Sequence, residues 1–102
     1  MTGSSPRVSS ASTSPPASWV PGGIAAETRQ VCENLKAILE AAGSSLDRVV
    51  KVTIYMADLA ELTAMNDVFS RYFPVDPPAR TTFQCAALVG GARVEIEAIA
   101  HL

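Results

Sequence analysis

Ser and Pro crowd the first twenty residues, and that crowding limits how much chain is left to build a core. Seven Ser (4, 5, 9, 10, 12, 14 and 18) and three Pro stand there, the only charge is Arg7, and no acidic residue appears before Glu27. A stretch this polar cannot bury enough apolar surface to offset its ordering entropy, so residues 1–23 are expected to form a disordered tail. It holds no continuous apolar run of the kind a secretory signal needs. The domain is then expected over residues 24–102 of the 102-residue chain. A unit of that size buries only roughly 60% of its unfolded surface, which makes its core thin and a partner expected.

Charge and cysteine usage narrow the function classes. From Ile24 onward the chain carries all ten acidic residues and seven of the eight basic ones. That balance is acidic and holds no basic run, which argues against electrostatic capture of a phosphate backbone. No apolar stretch approaches the roughly 20 residues of a membrane-spanning helix. Cys32 and Cys85 stand far apart, outside any metal-ligand spacing, so neither a metal nor a disulfide is expected, and reduced thiols suit a cytoplasmic protein.

Pro21-Gly22-Gly23 breaks the chain. Ile24, Val31, Leu35, Ile38, Leu39 and Ala42 then share one side of a 3.6-residue period, with Gly43 placed as a left-handed cap, which predicts a first helix. In the next segment Val50, Val52, Ile54 and Met56 alternate with Val49, Lys51, Thr53 and Tyr55, the period of a strand with one apolar face. Asp58 followed by Glu61 is a capping-type start, and Leu62, Met65, Phe69 and Tyr72 or Phe73 mark the stripe of a second helix. Pro74-Val-Asp-Pro-Pro78 ends it. Arg80–Leu88 and Arg93–Leu102 read as two strands joined by a Gly90-Gly91 hairpin. The expectation is an α+β fold, a three-stranded sheet with two helices on one face.

Several side chains could carry chemistry. Arg80, at the mouth of a strand, offers a rigid fork that binds a carboxylate through two bonds, though an exposed strand end explains it as well. Glu95 and Glu97 alternate with Val94, Ile96 and Ala98 and so point away from the helices, where a solvated face is the plain alternative. With Gly90 and Gly91 as turn residues, Ala86 faces Glu95 and Arg80 faces His101. Arg80 and Glu95 would share a face about 20 Å apart, too far for one small substrate. A site using both would be assembled between subunits. His101 lacks a nucleophile placed by sequence, Cys85 falls in the core-facing set Thr81, Phe83, Cys85 and Ala87, and Cys32 has no polar partner, so all three read as structural.

The segments Glu-Asn-Leu-Lys-Ala-Ile-Leu-Glu-Ala-Ala-Gly-Ser-Ser-Leu-Asp (33–47), Val-Val-Lys-Val-Thr-Ile-Tyr-Met-Ala-Asp (49–58), Pro-Ala-Arg-Thr-Thr-Phe (78–83) and Val-Glu-Ile-Glu-Ala-Ile-Ala (94–100) closely resemble the RidA/YjgF family of enamine/imine deaminases. The resemblance runs over about residues 20 to 102. It implies a chorismate-mutase-like α+β fold, a homotrimer with clefts between subunits, and hydrolysis of 2-aminoacrylate or 2-aminocrotonate, through their imines, to 2-oxo acids and ammonia. It implies no metal or cofactor. Arg80 is similar to the family arginine that holds the substrate carboxylate, and Glu95 resembles the carboxylate that positions the attacking water. Asn66 and Tyr72-Phe73 also match family positions, and Thr82 stands where many members carry Cys.

The family's N-terminal strands, with a Gly-Pro-Tyr and a Ser-Gly-Gln segment, have no counterpart in this sequence. Read one nucleotide out of register, residues 10–19 can encode hydrophobic-Gly-Leu-Asp-hydrophobic-Ala-Thr-Gly-Glu-Leu, a family-like pattern, so the tail is expected to be a frameshifted stretch. The alternatives to a deaminase are a non-catalytic trimerising or ligand-binding module that has lost its cleft and, third, a ribonuclease or translation inhibitor.

Overall fold

The computed structural model describes residues 8–13 and 20–102, with side chains from residue 20 onward except that of Val89. Its elements are β1 (Val8–Thr13), α1 (Gly23–Ala41), β2 (Val49–Met56), α2 (Leu62–Tyr72), β3 (Ala79–Gln84) and β4 (Val94–His101). Short 3-10 turns fill Leu46–Arg48, Leu59–Glu61 and Val89–Gly91. The strands form one mixed sheet in the order β1-β4-β2-β3, with both helices on one face.

α1 buries Ile24, Glu27, Thr28, Val31, Cys32, Leu35 and Leu39 along one stripe. Its end is a Schellman closure: the Ser44 N–H donates to the Leu39 carbonyl at 2.8 Å and the Gly43 N–H to the Glu40 carbonyl at 3.1 Å. The 6→1 bond needs a left-handed residue between its ends, and Gly43 supplies it at φ 86°. Ile38, expected on the core side, is instead 42% exposed, one step off the buried stripe. At α2 the Asp58 carboxylate accepts from the Ala60 N–H at 2.9 Å. The reciprocal half of a capping box does not form, because the Glu61 carboxylate accepts from the Arg93 guanidinium instead.

The core fills the space between the helices and the sheet. Val52, Ile54 and Met56 from β2, and Val94, Ile96, Ala98 and Ala100 from β4, meet Val31, Leu35 and Leu39 of α1 and Met65 and Phe69 of α2. The four β4 residues are small to medium and fully buried, which lets the helices lie close to the sheet.

Four sequence expectations are corrected. The Gly-Gly hairpin does not form: β2 lies between β3 and β4, pairing parallel with β3 and antiparallel with β4. β2 has the most continuous apolar run, and a central strand is shielded on both edges, so it displaces the local pairing that Gly90-Gly91 suggests. Second, the alternation of β2 breaks at Val50. A bulge between Val49 and Lys51 puts Val49 inside (7% exposed) and Val50 outside (49% exposed), because an extra residue reverses the facing of everything before it. Third, Thr81 and Phe83 are exposed and Cys85 is half-buried, so the Cys85 set is not core-facing. Fourth, Val8–Thr13, inside the stretch expected as a tail, pairs antiparallel with β4 from Val8↔His101 to Thr13↔Ile96. The rest of that stretch up to residue 19 lies outside the described residues.

Candidate functional site

β3 is the edge strand beyond β2, and the Val52↔Arg80 and Ile54↔Thr82 pairs put Arg80 and Thr82 on the helix-covered side. α2 reaches over that edge. The Arg80 Nη1 donates to the Asn66 Oδ1 at 2.5 Å, and the guanidinium carbon lies 5.5 Å from the centre of the Phe69 ring. Asn66, Phe69 and Ser70 are spaced three and four residues along α2, with Phe73 just past its end, so one helical stripe supplies both the acceptor and the aromatic platform. The fork is thereby held in place while its remaining donors face solvent.

A cavity of about 370 Å³ opens beside Arg80, bounded by Asn66, Phe69, Ser70, Phe73 and the Pro77-Pro78 pair. Its walls are largely apolar, with one cationic fork at the mouth. That combination suits a small carboxylate with an apolar body. Thr82, two residues further along β3 on the same face, is half-buried, and its Oγ1 is buried with no hydrogen-bond partner among the described residues.

Glu95 is elsewhere. The Tyr55↔Glu95 and Thr53↔Glu97 pairs place both carboxylates on the open face, away from the helices. The Tyr55 hydroxyl donates to the Glu97 Oε1 at 3.4 Å, and its ring packs edge-on against Phe83 with centroids 4.9 Å apart. Lost hydration and the Glu97 charge push the Tyr55 phenol above its ordinary pKa. Arg80 and Glu95 therefore stand on opposite faces, not on the shared face that the hairpin register implied. With three residues of offset along the strands and two strand spacings across them, they are roughly 14 Å apart at the backbone. The structure brings Arg80 and Asn66 together, places Thr82 on the same face of β3 two residues on, and leaves Glu95 on the other face.

The remaining titratable candidates behave as structural groups. Burial, reinforced by the neighbouring Glu33 charge, pushes the Cys32 thiol up to about 12, so it is not a nucleophile near neutrality. Tyr72 rises to about 12 through burial and its 2.7 Å hydrogen bond to the Glu33 Oε2. His101 ends β4 half-buried, and its carbonyl accepts from the Ser44 hydroxyl at 2.8 Å. Among the described residues no cluster of His, Cys, Asp and Glu could hold a metal ion, and no helix is long and apolar enough to cross a membrane. In the sequence Phe69 reads only as part of the apolar stripe of the second helix. Its i+3 spacing from Asn66 was the available signal that it would also support Arg80.

Comparisons with known proteins agree with this architecture. The family model described as Endoribonuclease L-PSP matches residues 10–102. The 2-iminobutanoate/2-iminopropanoate deaminases of goat (Capra hircus) and cattle (Bos taurus) are each 49% identical over 81 residues, which is 79% of this chain and 59% of each relative. The chain thus spans about three fifths of the length of these relatives. RidA from an Antarctic Psychrobacter superposes with a TM-score of 0.78 at 43% identity, covering 82% of this chain and 68% of that one. A member of the YjgF/YER057c/UK114 family from Mycobacterium tuberculosis superposes at 0.81 with 30% identity, covering 90% and 75%. With matched sequence along nearly the whole described chain and the same helix-on-sheet architecture, the protein belongs to the Endoribonuclease L-PSP family, the RidA/YjgF group.

Proposed function

We propose that this protein hydrolyses 2-imino acids, the tautomers of 2-aminoacrylate and 2-aminocrotonate, to 2-oxo acids and ammonia, in clefts between the subunits of a homotrimer. The observation that carries the reading is the pre-held Arg80 fork at the mouth of an apolar cavity. Arg80 binds the substrate carboxylate, with Asn66 fixing the fork and Thr82 lying behind it on the same face of β3. A protonated imine is already electrophilic at carbon 2, so catalysis needs orientation and a water. The Glu95 carboxylate of the partner subunit holds that water and takes one of its protons as the new C–O bond forms. The proton passes to nitrogen, and the C–N bond breaks as the new hydroxyl gives its own proton to the Glu95 carboxylate. That proton leaves with ammonia as ammonium, and the carbonyl of the 2-oxo acid remains.

The opposite facing of Arg80 and Glu95 supports a site made by two chains, since one chain cannot close both groups on a molecule of a few atoms. The curated relatives named as deaminases support the reaction. A cytoplasmic location is part of the same proposal, as the compartment in which imines released by dehydratases would be met. The acidic balance of the domain supports this reading over a ribonuclease.

Adding the protein to a threonine dehydratase reaction, with semicarbazide trapping the free imine, tests the reading. Faster 2-oxobutanoate release and less semicarbazone are expected, and Arg80→Ala should abolish the effect. A second reading, a ligand-binding module without turnover, is favoured by Glu95 standing on the sheet face opposite the Arg80 cavity, which leaves that cavity without a carboxylate of its own chain. It predicts carboxylate binding that depends on Arg80 with no acceleration. Sequencing the gene around Trp19 tests the proposed frameshift, and an unbroken frame through the Ser/Pro stretch overturns it.

A further inference from the structure

Two consecutive left-handed glycines, Gly90 (φ 68°) and Gly91 (φ 73°), lead into β4, and such a loop gives the strand no rigid approach. Among the described residues the β1–β4 pairing runs from Val8↔His101 to Thr13↔Ile96. Among the described residues, Glu95 therefore has one strand neighbour, through the Tyr55↔Glu95 pair of β2. A contact ahead of the strand would fix where β4 begins.

Glu27 is placed to do this. It is the one buried carboxylate among the described residues, 3% exposed on α1. Its Oε2 accepts the backbone N–H of Arg93 at 2.8 Å, and its Oε1 lies 3.9 Å from the Arg93 Nε. The Arg93 Nη1 donates to the Glu61 Oε2 at 2.8 Å, and the Arg93 carbonyl accepts the Ala57 N–H at 3.0 Å. A residue two positions before Glu95 is thus tied to α1, to the turn before α2 and to the end of β2. Because strand facing has a period of two, fixing Arg93 fixes the face and height at which Glu95 emerges. A buried carboxylate costs stability unless it is paired and hydrogen-bonded, and here both partners belong to Arg93.

We infer that Glu27 is a positioning residue for Glu95, acting through the Arg93 amide; the inference rests on the deaminase reading above. What matters is an acceptor oxygen at the tip of residue 27, more than its charge. Glu27→Gln keeps an oxygen there. Glu27→Asp keeps the charge but withdraws it by one methylene, about 1.5 Å. Glu27→Met fills the volume and removes the acceptor.

The test is steady-state kinetics of the full chain in the dehydratase-coupled assay, with Glu95→Gln alongside. Expected is kcat within about threefold of wild type for Glu27→Gln, a loss of about tenfold for Glu27→Asp and a larger one for Glu27→Met, with KM held within about twofold because Arg80 binds from the other face. The reverse order, Asp retaining kcat and Gln losing it, overturns the inference in favour of the ion pair, and unchanged kcat in all three also overturns it. If Glu27→Met does not fold, the Gln and Asp variants still decide. Absent wild-type turnover, or full activity of Glu95→Gln, defeats the deaminase reading instead. Amide exchange at Val94 and Glu95 then decides the positioning role, with about tenfold faster exchange expected in Glu27→Asp than in Glu27→Gln and equal rates contradicting it.

Discussion

The two faces of the sheet obey different rules. On the helix-covered face, Val52, Ile54, Met56, Val94, Ile96, Ala98 and Ala100 are all fully buried, and their neighbours are on the same chain. On the open face, Phe83 is 41% and Ile99 37% exposed, and they share that face with Glu95, Glu97 and a half-buried Tyr55. Mixed apolar and acidic groups on an uncovered sheet suit an interface with a polar cleft better than a solvated surface. The closed face makes the fold and the open face remains available for partners, so substitutions on the two should separate stability from assembly.

The largest expected effect is on the closed face. Leu35→Ala removes a fully buried side chain from the centre of α1 and should cost about 3 kcal/mol, read as a lower urea midpoint. Phe83→Ala should cost less than about 1 kcal/mol in the dissociated chain; equal losses would erase the contrast between the faces. Next, Ile99→Asp on the open face should shift light scattering from the proposed trimer toward monomer while far-UV circular dichroism is retained. A smaller effect is expected at the arginine platform. Asn66→Ala frees the Arg80 fork and should lower kcat/KM by about tenfold, mostly through KM; an unchanged KM would remove Asn66 from the site.

The smallest effect is electrostatic. Tyr72 titrates at about 12 against an ordinary 10, and Cys32 at about 12 against 9. Both folded values are raised, so the folded state binds more protons across these windows. Their contributions are intact below pH 9 to 10 and are lost as pH rises toward 12. Tyr72→Phe should flatten the upper part of the alkaline stability curve; a curve that still falls as steeply between pH 10 and 12 would show that another group is responsible.

Much of the closed face could be read from periodicity. The stripe of α1, the alternation of β4 and the stop at Pro74 are local patterns, and each local preference agrees with the final fold. The failures involve competition at long range. Gly90-Gly91 looks like a hairpin because pairing was judged from neighbouring residues, while β2, some thirty residues earlier, won the central position. Val49-Val50 gives no compositional hint of which Val faces inward, so the bulge was invisible. Arg80 and Glu95 stand out by strand position and alternation, with their roles implied by the family resemblance, but their placement on opposite faces depends on the strand order. The Asn66 contact to Arg80 crosses 14 positions and needs α2 laid over the β3 edge. Glu27 gives no local signal of its buried role, because an acidic residue on a helix ordinarily marks the solvated face.

The central claim is that one site takes Arg80 from one protomer and Glu95 from its partner. Arg80→Ala and Glu95→Gln should each be inactive alone in the dehydratase-coupled assay. When equal amounts are dissociated, mixed and reassembled, random trimers should pair an intact Arg80 with an intact Glu95 at about a quarter of the sites, and about a quarter of wild-type activity should return. A mixture that stays as inactive as its components, although mass spectrometry shows hybrid trimers, would contradict the shared site.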